Sequence, residues 1–369
     1  MNPFSFRFKR CLLASVRGSQ LLPNLCLPGF LLFLLPSYAA AQPPASRGLF
    51  EILAATDSLE VRITTNVDSL LTNKFLEGYL PGKFQFRSGV GAWREMQAGV
   101  GMRGKYRRTR CDFPLLRLGF DKEDLQAMGL NQFGDFRLMT QCSGSDSLAR
   151  ELLLKEMLVY RLHNEISETS FRVKWLQVTY VNEADGREVR QVGLLIEDVA
   201  DLAYRTNTRP VDPLNVPQDS VSVEHDKISA LFQFMIGNVE WGYKPGRNIE
   251  FLQQEGGMYV PVVYDFDYSG FVNAPYAKPK THIGQKSMRE RVYFGRKIPP
   301  QELAAAFPFF LGKENALKKL IRDYQELGPE TRKDLESYVD EFFKLIPRGE
   351  EAATMLLSRK PWVNQPPAE

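Results

Sequence analysis

The segment 260-VPVVYDFDYSG-270 runs from a hydrophobic stretch directly into two acidic side chains and a Ser-Gly turn. Residues 260–264 predict a buried strand that ends at Asp265 and Asp267. A second short strand is predicted at residues 249–252, directly after Asn248. A hairpin of these two strands would bring Asn248 and Asp265 to the same end of the ladder.

Upstream of this hairpin, a predicted helix at residues 225–236 leads into GNVEW, which carries Glu240. An amide oxygen from Asn248 and a carboxylate from Asp265 are the hard oxygen ligands that Mg²⁺ prefers. A further acid such as Glu240 would orient or deprotonate an attacking hydroxyl, as phosphoryl transfer requires. Clustered acids repel each other without a cation, so the pattern predicts bound Mg²⁺ or Mn²⁺.

The first 41 of the 369 residues have the pattern of a secretory signal peptide. A basic start leads to the apolar run of residues 29–35, and alanines at 39–41 offer a cleavage site. The alternative is an N-terminal membrane anchor, but the apolar run is short and lies between Pro28 and Pro36. We therefore expect an exported protein (periplasmic, cell-surface or secreted) with no stable membrane span after cleavage.

Net charge bears on the class of partner, and cysteine content bears on disulfide formation. Cleavage after residue 41 leaves 43 basic against 44 acidic side chains, so net charge does not predict a nucleic-acid partner. Cys111 and Cys142 remain in the mature chain, and an exported context predicts a disulfide between them. Two buried free thiols are the alternative.

The order of predicted elements indicates the fold class. Strands dominate up to residue 142, a helix at 147–166 and two strands at 173–180 and 189–197 follow, and the chain is mainly helical beyond residue 300. This order predicts a bilobal α+β protein with a cleft between its lobes. Its β-rich N-terminal lobe would comprise residues 42–197, and its mainly helical C-terminal lobe residues 198–369.

Several segments resemble the spore coat protein H family of atypical kinases: GNVEW at 237–241, RNIEFL at 247–252 and YVPVVYDFDYSG at 259–270. Residues 100–120, 155–181 and 192–205 are also similar, and the likeness covers roughly residues 55–295. The resemblance implies a protein-kinase-like fold, ATP and magnesium as cofactors, and phosphorylation of protein Ser/Thr.

The resemblance also implies roles for single acids. Asp265 and Asn248 would bind the metal, with Asp267 assisting, and Glu156 would pair with a phosphate-binding cation. Glu240 stands where the family pattern has Asp, a departure that puts catalysis in doubt. From the residues alone, strand-end aspartates also commonly accept turn amides, and an acid such as Glu156 on an amphipathic helix is often solvated.

Contacts to the nucleotide are implied less specifically. Ile196 and Glu197 would face the adenine, and Arg103, Lys105 and Arg137 are all candidates for phosphate contact. The sequence does not choose among these cations, and residues 103–110 also fit a solvated hairpin face. Arginine at 137, where a lysine is expected, is a second departure from the family, because the two side chains bind phosphate differently.

These patterns predict an exported enzyme that transfers a phosphoryl or nucleotidyl group from ATP to an extracytoplasmic protein. The alternative is a catalytically inactive kinase-like scaffold that binds a partner protein or a glycan. ATP is scarce outside the cytosol and Glu240 replaces the expected Asp, and both facts favour the alternative. Nucleotide binding is the property that separates the two hypotheses.

Overall fold

The computed structural model describes residues 47–56, 58–73, 75, 77–104, 111, 113, 115–141, 146–243 and 246–358. The predicted signal peptide, Lys105 and Cys142 lie outside these residues. Export and the Cys111–Cys142 disulfide therefore stay predictions. Cys111 itself is buried.

The described residues form a closed barrel of seven strands in the order β1-β2-β3-β4-β5-β7-β6. The strands are β1 Leu59–Thr65, β2 Leu80–Ser88, β3 Arg94–Arg103, β4 Leu115–Gly119, β5 Asp135–Thr140, β6 Val173–Asn182 and β7 Glu188–Ile196. Most neighbouring strands are antiparallel. β1 and β6 run parallel, with Leu59 opposite Leu176, and this pair closes the barrel.

Alternating side chains separate the interior of the barrel from its outer face, because strand side chains have a period of two. In β1, every second residue from Leu59 is buried. The interior is filled by aromatic and aliphatic side chains that include Phe84, Phe136 and Tyr180. Three short helices add apolar residues to this core: α1 Leu49–Ala54, α2 Val67–Thr72 and α3 Lys122–Ala127.

The outer face of β4, β5 and β7 is covered rather than solvated. Leu115, Met139 and Leu194 belong to the same hydrophobic cluster as the long helix α4, Asp146–Ile166. Next along the chain, α5 Val199–Arg205 begins at its N-cap residue Asp198, whose carboxylate accepts from the Ala200 amide.

The remaining elements complete this second core. A sheet of three strands in the order β10-β9-β8 is formed by β8 Thr208–Val211, β9 Ile249–Gln254 and β10 Tyr259–Val263. The helices in this part of the described chain are α6 Val223–Met235, α7 Pro300–Ala304, α8 Phe307–Arg322, α9 Pro329–Leu345 and α10 Glu350–Ser358. Of these helices, α6 and α8 contact α4. Buried apolar residues of all five belong to one cluster with Leu115, Met139 and Leu194 of the barrel's outer face.

The predicted bilobal, protein-kinase-like fold is wrong. The strands do not form an open sheet in a lobe of their own, because the parallel pairing of β1 with β6 closes them into a barrel. The barrel also shares its outer apolar side chains, such as Met139, with the helices that follow. Many of the local elements were predicted correctly, although α1, α2, α3 and β8 were not predicted. The long-range pairing of the strands was not predicted either.

No helix in the described part of the chain is long and apolar enough to cross a bilayer. Among the described helices α4 is the longest, and it carries several charged residues, including Arg150, Lys155 and Glu156.

Candidate functional site

The β9–β10 hairpin places Asn248 and Asp265 at the same end of its ladder. Ile249 pairs with Val263, and the Tyr264 amide donates to the Asn248 carbonyl oxygen at 3.1 Å. Both predicted ligands have left-handed backbone conformations, with φ of 51° at Asn248 and 62° at Asp265. Such conformations are uncommon outside glycine, although Asn and Asp tolerate them best. Other contacts must therefore hold the chain at this point.

Two side chains of α4 supply those contacts. The Asp265 amide donates to the Tyr160 hydroxyl, and the Phe266 amide donates to Glu156 Oε1, both at 3.1 Å. Glu156 and Tyr160 are one helical turn apart, so they lie on the same face of the helix. Glu156, predicted to pair with a phosphate-binding cation, is buried, and its Oε1 accepts from the Phe266 backbone amide. Burial, followed by the charges of Glu156 and Asp265, raises the pKa of Tyr160, which keeps its proton.

Next to this hairpin, the outer face of the barrel carries a cavity of about 260 Å³, which we call the arginine pocket. It is lined by Arg103, Arg117, Asp135, Arg137, Asp198 and Val199. Arg117 and Arg137 lie directly opposite each other on β4 and β5, and Arg103 lies on the adjacent strand β3. Their neighbours in sequence, such as Leu116 and Leu138, fill the barrel interior, so the arginines project outward.

Arg137 is the best anchored of these cations. It forms an ion pair with Glu250 on β9, and its guanidinium lies 4.3 Å from the centre of the Tyr264 ring. Burial is the largest single effect and lowers the pKa of Arg137, but Glu250, Tyr264 and Tyr160 together outweigh it, so the net shift of this pKa is upward. The pocket thus links the barrel to the hairpin that carries Asp265.

Arg103 is in a less favourable environment. Burial lowers the pKa of Arg103, the charge of Arg137 lowers it further, and the carboxylate of Asp265 partly compensates. In the described part of the chain, Arg103 Nη1, Arg117 Nε and Arg137 Nη1 are buried without a hydrogen-bond partner. Unpaired buried donors are rare in folded proteins and indicate a ligand or water.

The acids of the pocket, in contrast, have protein partners. Asp198 accepts from the amides of Asp135 and Ala200, at 2.9 and 2.8 Å. Asp135 Oδ1 accepts from the Tyr79 hydroxyl at 3.1 Å. The groups that lack hydrogen-bond partners in the pocket are therefore donors, which acceptors from a ligand or from water would satisfy.

The predicted general base, Glu240, lies among cations. Its carboxylate is 3.2 Å from Arg247 Nη1 and 3.3 Å from Lys280 Nζ. The Asn248 side-chain amide donates to the Glu240 carbonyl oxygen at 2.8 Å, which ties the predicted base to the predicted metal ligand. Burial lowers the pKa of Lys280, and Glu240 offsets part of this effect.

Metal binding at the hairpin has limited support from the side chains. The described residues contain no group of three or more His, Cys, Asp or Glu placed to hold a metal ion. Mg²⁺ commonly uses only one or two carboxylates and takes its other ligands from phosphates and water. Asp265 and Asn248 provide one carboxylate and one amide oxygen at the same end of the hairpin. The Asp267 carboxylate accepts from the Tyr276 hydroxyl at 3.1 Å.

Glu197, predicted to face an adenine, is fully buried between two arginines. Arg172 Nε donates to its Oε2 at 2.8 Å, and Arg205 Nη2 donates to its Oε1 at 2.7 Å. Ile196, also predicted to face the adenine, is buried and pairs with both Arg137 and Val173. The carboxylate of Glu197 is thus occupied by protein donors.

A wider cleft of about 1000 Å³ lies beside Glu197 and includes Arg172, Arg205 and His225 in its lining. It is larger than the arginine pocket, but both arginines that line it donate to Glu197, and the unbonded Arg172 Nη2 lies 3.5 Å from Asp201 Oδ2. We place the candidate site in the smaller cavity, where three arginines each have a buried nitrogen without a hydrogen-bond partner.

Sequence reasoning found Arg103 and Arg137 but missed Arg117, Tyr160 and Glu250. Arg117 stands alone among apolar residues in LLRLG, as Arg137 does in FRLM. A single arginine within an apolar strand could have indicated the pocket. Such a side chain must project from the outer face of the barrel, because the interior is apolar.

Comparison with known proteins gives no further assignment. No family model matches the chain, and no curated protein matches it.

Proposed function

We propose that the arginine pocket binds the phosphate groups of ATP and that the protein transfers a phosphoryl group to an extracytoplasmic protein. The observation that carries this proposal is the set of buried, unpaired donors on Arg103, Arg117 and Arg137. Guanidinium groups match phosphate oxygens in geometry and charge. A phosphate chain would satisfy these donors together.

The position of Asp265 favours a reactive site over a simple anion site. Burial lowers the pKa of Arg103, and the Asp265 carboxylate offsets part of this effect. The Asp265 backbone has a left-handed conformation, and its amide donates to the Tyr160 hydroxyl. Strained backbone of this kind persists only where surrounding contacts over-determine it, and it clusters at functional sites. When bound, Mg²⁺ would neutralise charge on the phosphates, and Asp265 and Asn248 would be its protein ligands.

The chain's own contribution would be binding and charge stabilisation. The arginines would orient the phosphate chain and stabilise the negative charge that develops during transfer, which is the main task in phosphoryl transfer. The resemblance of residues 237–270 to the spore coat protein H family supports the same chemistry. The fold implied by that family is not the one observed, so the proposal depends on the pocket.

The second candidate function is binding without catalysis. Glu240 favours it, because Arg247 and Lys280 already pair with the carboxylate that would act as general base. In this case the pocket would hold a phosphorylated partner or ligand, and no phosphoryl group would be transferred.

ATP turnover tests the proposal. The full-length chain is incubated with ATP and Mg²⁺ or Mn²⁺, and both ADP formation and phosphorylated protein are measured. Asp265→Asn is the variant of choice, because Asn tolerates the left-handed backbone while it removes the charge. Asp219→Asn, at an exposed site, is the matched control.

ADP formation that Asp265→Asn abolishes and Asp219→Asn retains would support phosphoryl transfer. ATP binding without ADP formation would replace the proposal with the second candidate. Absence of ATP binding at millimolar concentrations would contradict the proposal of phosphoryl transfer from ATP and leave only the second candidate.

A further inference from the structure

Arg117 has no role in the sequence-based predictions, but neighbouring side chains hold it in a defined position. Its guanidinium lies 4.3 Å from the centre of the Tyr79 ring, and the Tyr79 hydroxyl donates to Asp135. Burial, followed by the charge of Asp135, raises the pKa of Tyr79 to about 12. Tyr79 therefore remains a neutral donor that orients the arginine by a cation–π contact.

The glycine-rich segment of β3 makes room for this pair. A Cβ atom at Gly101 would lie 2.9 Å from Arg117 Nε and 2.6 Å from the Gly78 carbonyl oxygen. A Cβ atom at Gly99 would lie 2.9 Å from the Tyr79 side chain. Both distances to these side chains are shorter than Cβ contacts allow, so glycine lets Tyr79 and Arg117 lie flat against the strand.

The spacing of the arginines indicates an extended anion. Arg103, Arg117 and Arg137 lie on three adjacent strands, which are about 5 Å apart from one to the next. Their guanidinium groups can thus spread over about 10 Å, more than one phosphate group spans. The pocket volume of about 260 Å³ is below the usual range for sites that enclose a whole drug-sized ligand.

We infer that the arginine pocket recognises a chain of two or more phosphate groups, with Arg117 as its specificity-determining residue, and that the nucleoside lies outside the cavity. The inference deepens the proposed function and rests on it. It implies that affinity depends on the number of phosphates and only weakly on the base.

Calorimetric titration of the full-length chain tests this inference with orthophosphate, pyrophosphate, tripolyphosphate, ATP and GTP, each with Mg²⁺. We expect pyrophosphate and tripolyphosphate to bind at least tenfold more tightly than orthophosphate. ATP and GTP should bind within about threefold of each other. Equal affinity for orthophosphate and pyrophosphate would overturn the inference.

Variants at Arg117 test its role. Arg117→Met should weaken pyrophosphate binding by about tenfold or more, since hydrogen bonds between charged groups are among the strongest. Arg117→Lys should restore part of the affinity, because it keeps the charge but loses the Nε donor. The unfolding midpoint without ligand should not change, which separates a binding role from a structural one. Arg62→Met, at a surface ion pair, is the control.

The two proposals fail in different ways. Unchanged pyrophosphate affinity in Arg117→Met, with ATP turnover intact, would overturn this inference and leave the proposed function standing. Pyrophosphate binding that needs Arg117, in a chain that neither binds nor consumes ATP, would overturn the proposed function and retain the phosphate-chain site.

Discussion

Two clusters of arginines and acids in this protein differ in how their arginines are paired with neighbouring carboxylates. Around Glu197, Arg172 and Arg205 surround a fully buried carboxylate and donate to both of its oxygens. In the arginine pocket, Arg103 and Arg117 have buried nitrogens with no partner in the described residues. Arg172 Nη2 also lacks a hydrogen bond, but it lies 3.5 Å from Asp201 Oδ2. The first cluster therefore pairs its arginines with its own carboxylates, whereas we propose that a bound anion pairs the arginines of the second. On this proposal the same residue types serve stability in one place and binding in the other.

The largest effect is expected from Glu197→Gln. The variant removes the buried carboxylate that Arg172 and Arg205 share, which should lower the free energy of unfolding by about 3 kcal/mol. Urea denaturation measures this change. ATP affinity should remain within about threefold of wild type, since Glu197 is assigned no ligand contact.

Glu188→Gln is the matched control, because Glu188 forms a partly exposed ion pair with Arg62 and should contribute less than about 1 kcal/mol. If Glu197→Gln lowered the free energy of unfolding no more than this control does, the Glu197 cluster would not stabilise the fold as we infer.

The next effect is a pH dependence at Asp201 in the same cluster. Burial, followed by the charge of Glu197, raises the pKa of Asp201 to about 6. The folded state therefore binds more protons than the unfolded state between pH 4 and 6. Wild-type stability should fall relative to Asp201→Asn as the pH rises through this window, by about 2 kcal/mol in total. Urea denaturation of both proteins at pH 4, 5, 6 and 7 checks this, and parallel pH profiles would contradict it.

The smallest effect is expected from Arg103→Met without ligand. Burial and the charge of Arg137 both disfavour the Arg103 cation. Its removal should therefore change the free energy of unfolding by less than about 1 kcal/mol, and we expect a small increase. Arg205→Met removes a paired arginine of the other cluster and should cost about 2 kcal/mol. Equal losses in the two variants would remove the distinction between the clusters.

Local structure was largely predictable from the sequence. Residues 59–64, LEVRIT, alternate apolar and polar side chains, as is typical of a strand, and the structure has β1 at Leu59–Thr65. Apolar spacing predicted a helix at residues 147–166, and the structure has α4 at Asp146–Ile166. The hairpin at Asn248 and Asp265 was also predictable, because the turn and both strands are adjacent in sequence.

Barrel closure was not predictable in this way. It depends on the pairing of Leu59 with Leu176, and periodicity carries no information about partners so far apart in the chain. Arg117 was missed for a related reason. Its pairing with Arg137 depends on the β4–β5 register, and only that register brings the pocket's arginines together.

Ligand-dependent unfolding tests the central claim, that the unpaired donors of the arginine pocket bind a phosphate chain. The unfolding free energy of wild type and Arg137→Met would be measured with and without ATP and Mg²⁺. Wild type should gain about 2.7 kcal/mol at a ligand concentration 100 times the dissociation constant, and Arg137→Met should gain much less at that concentration. An equal gain in both proteins, or none in wild type at millimolar ATP, would contradict the account.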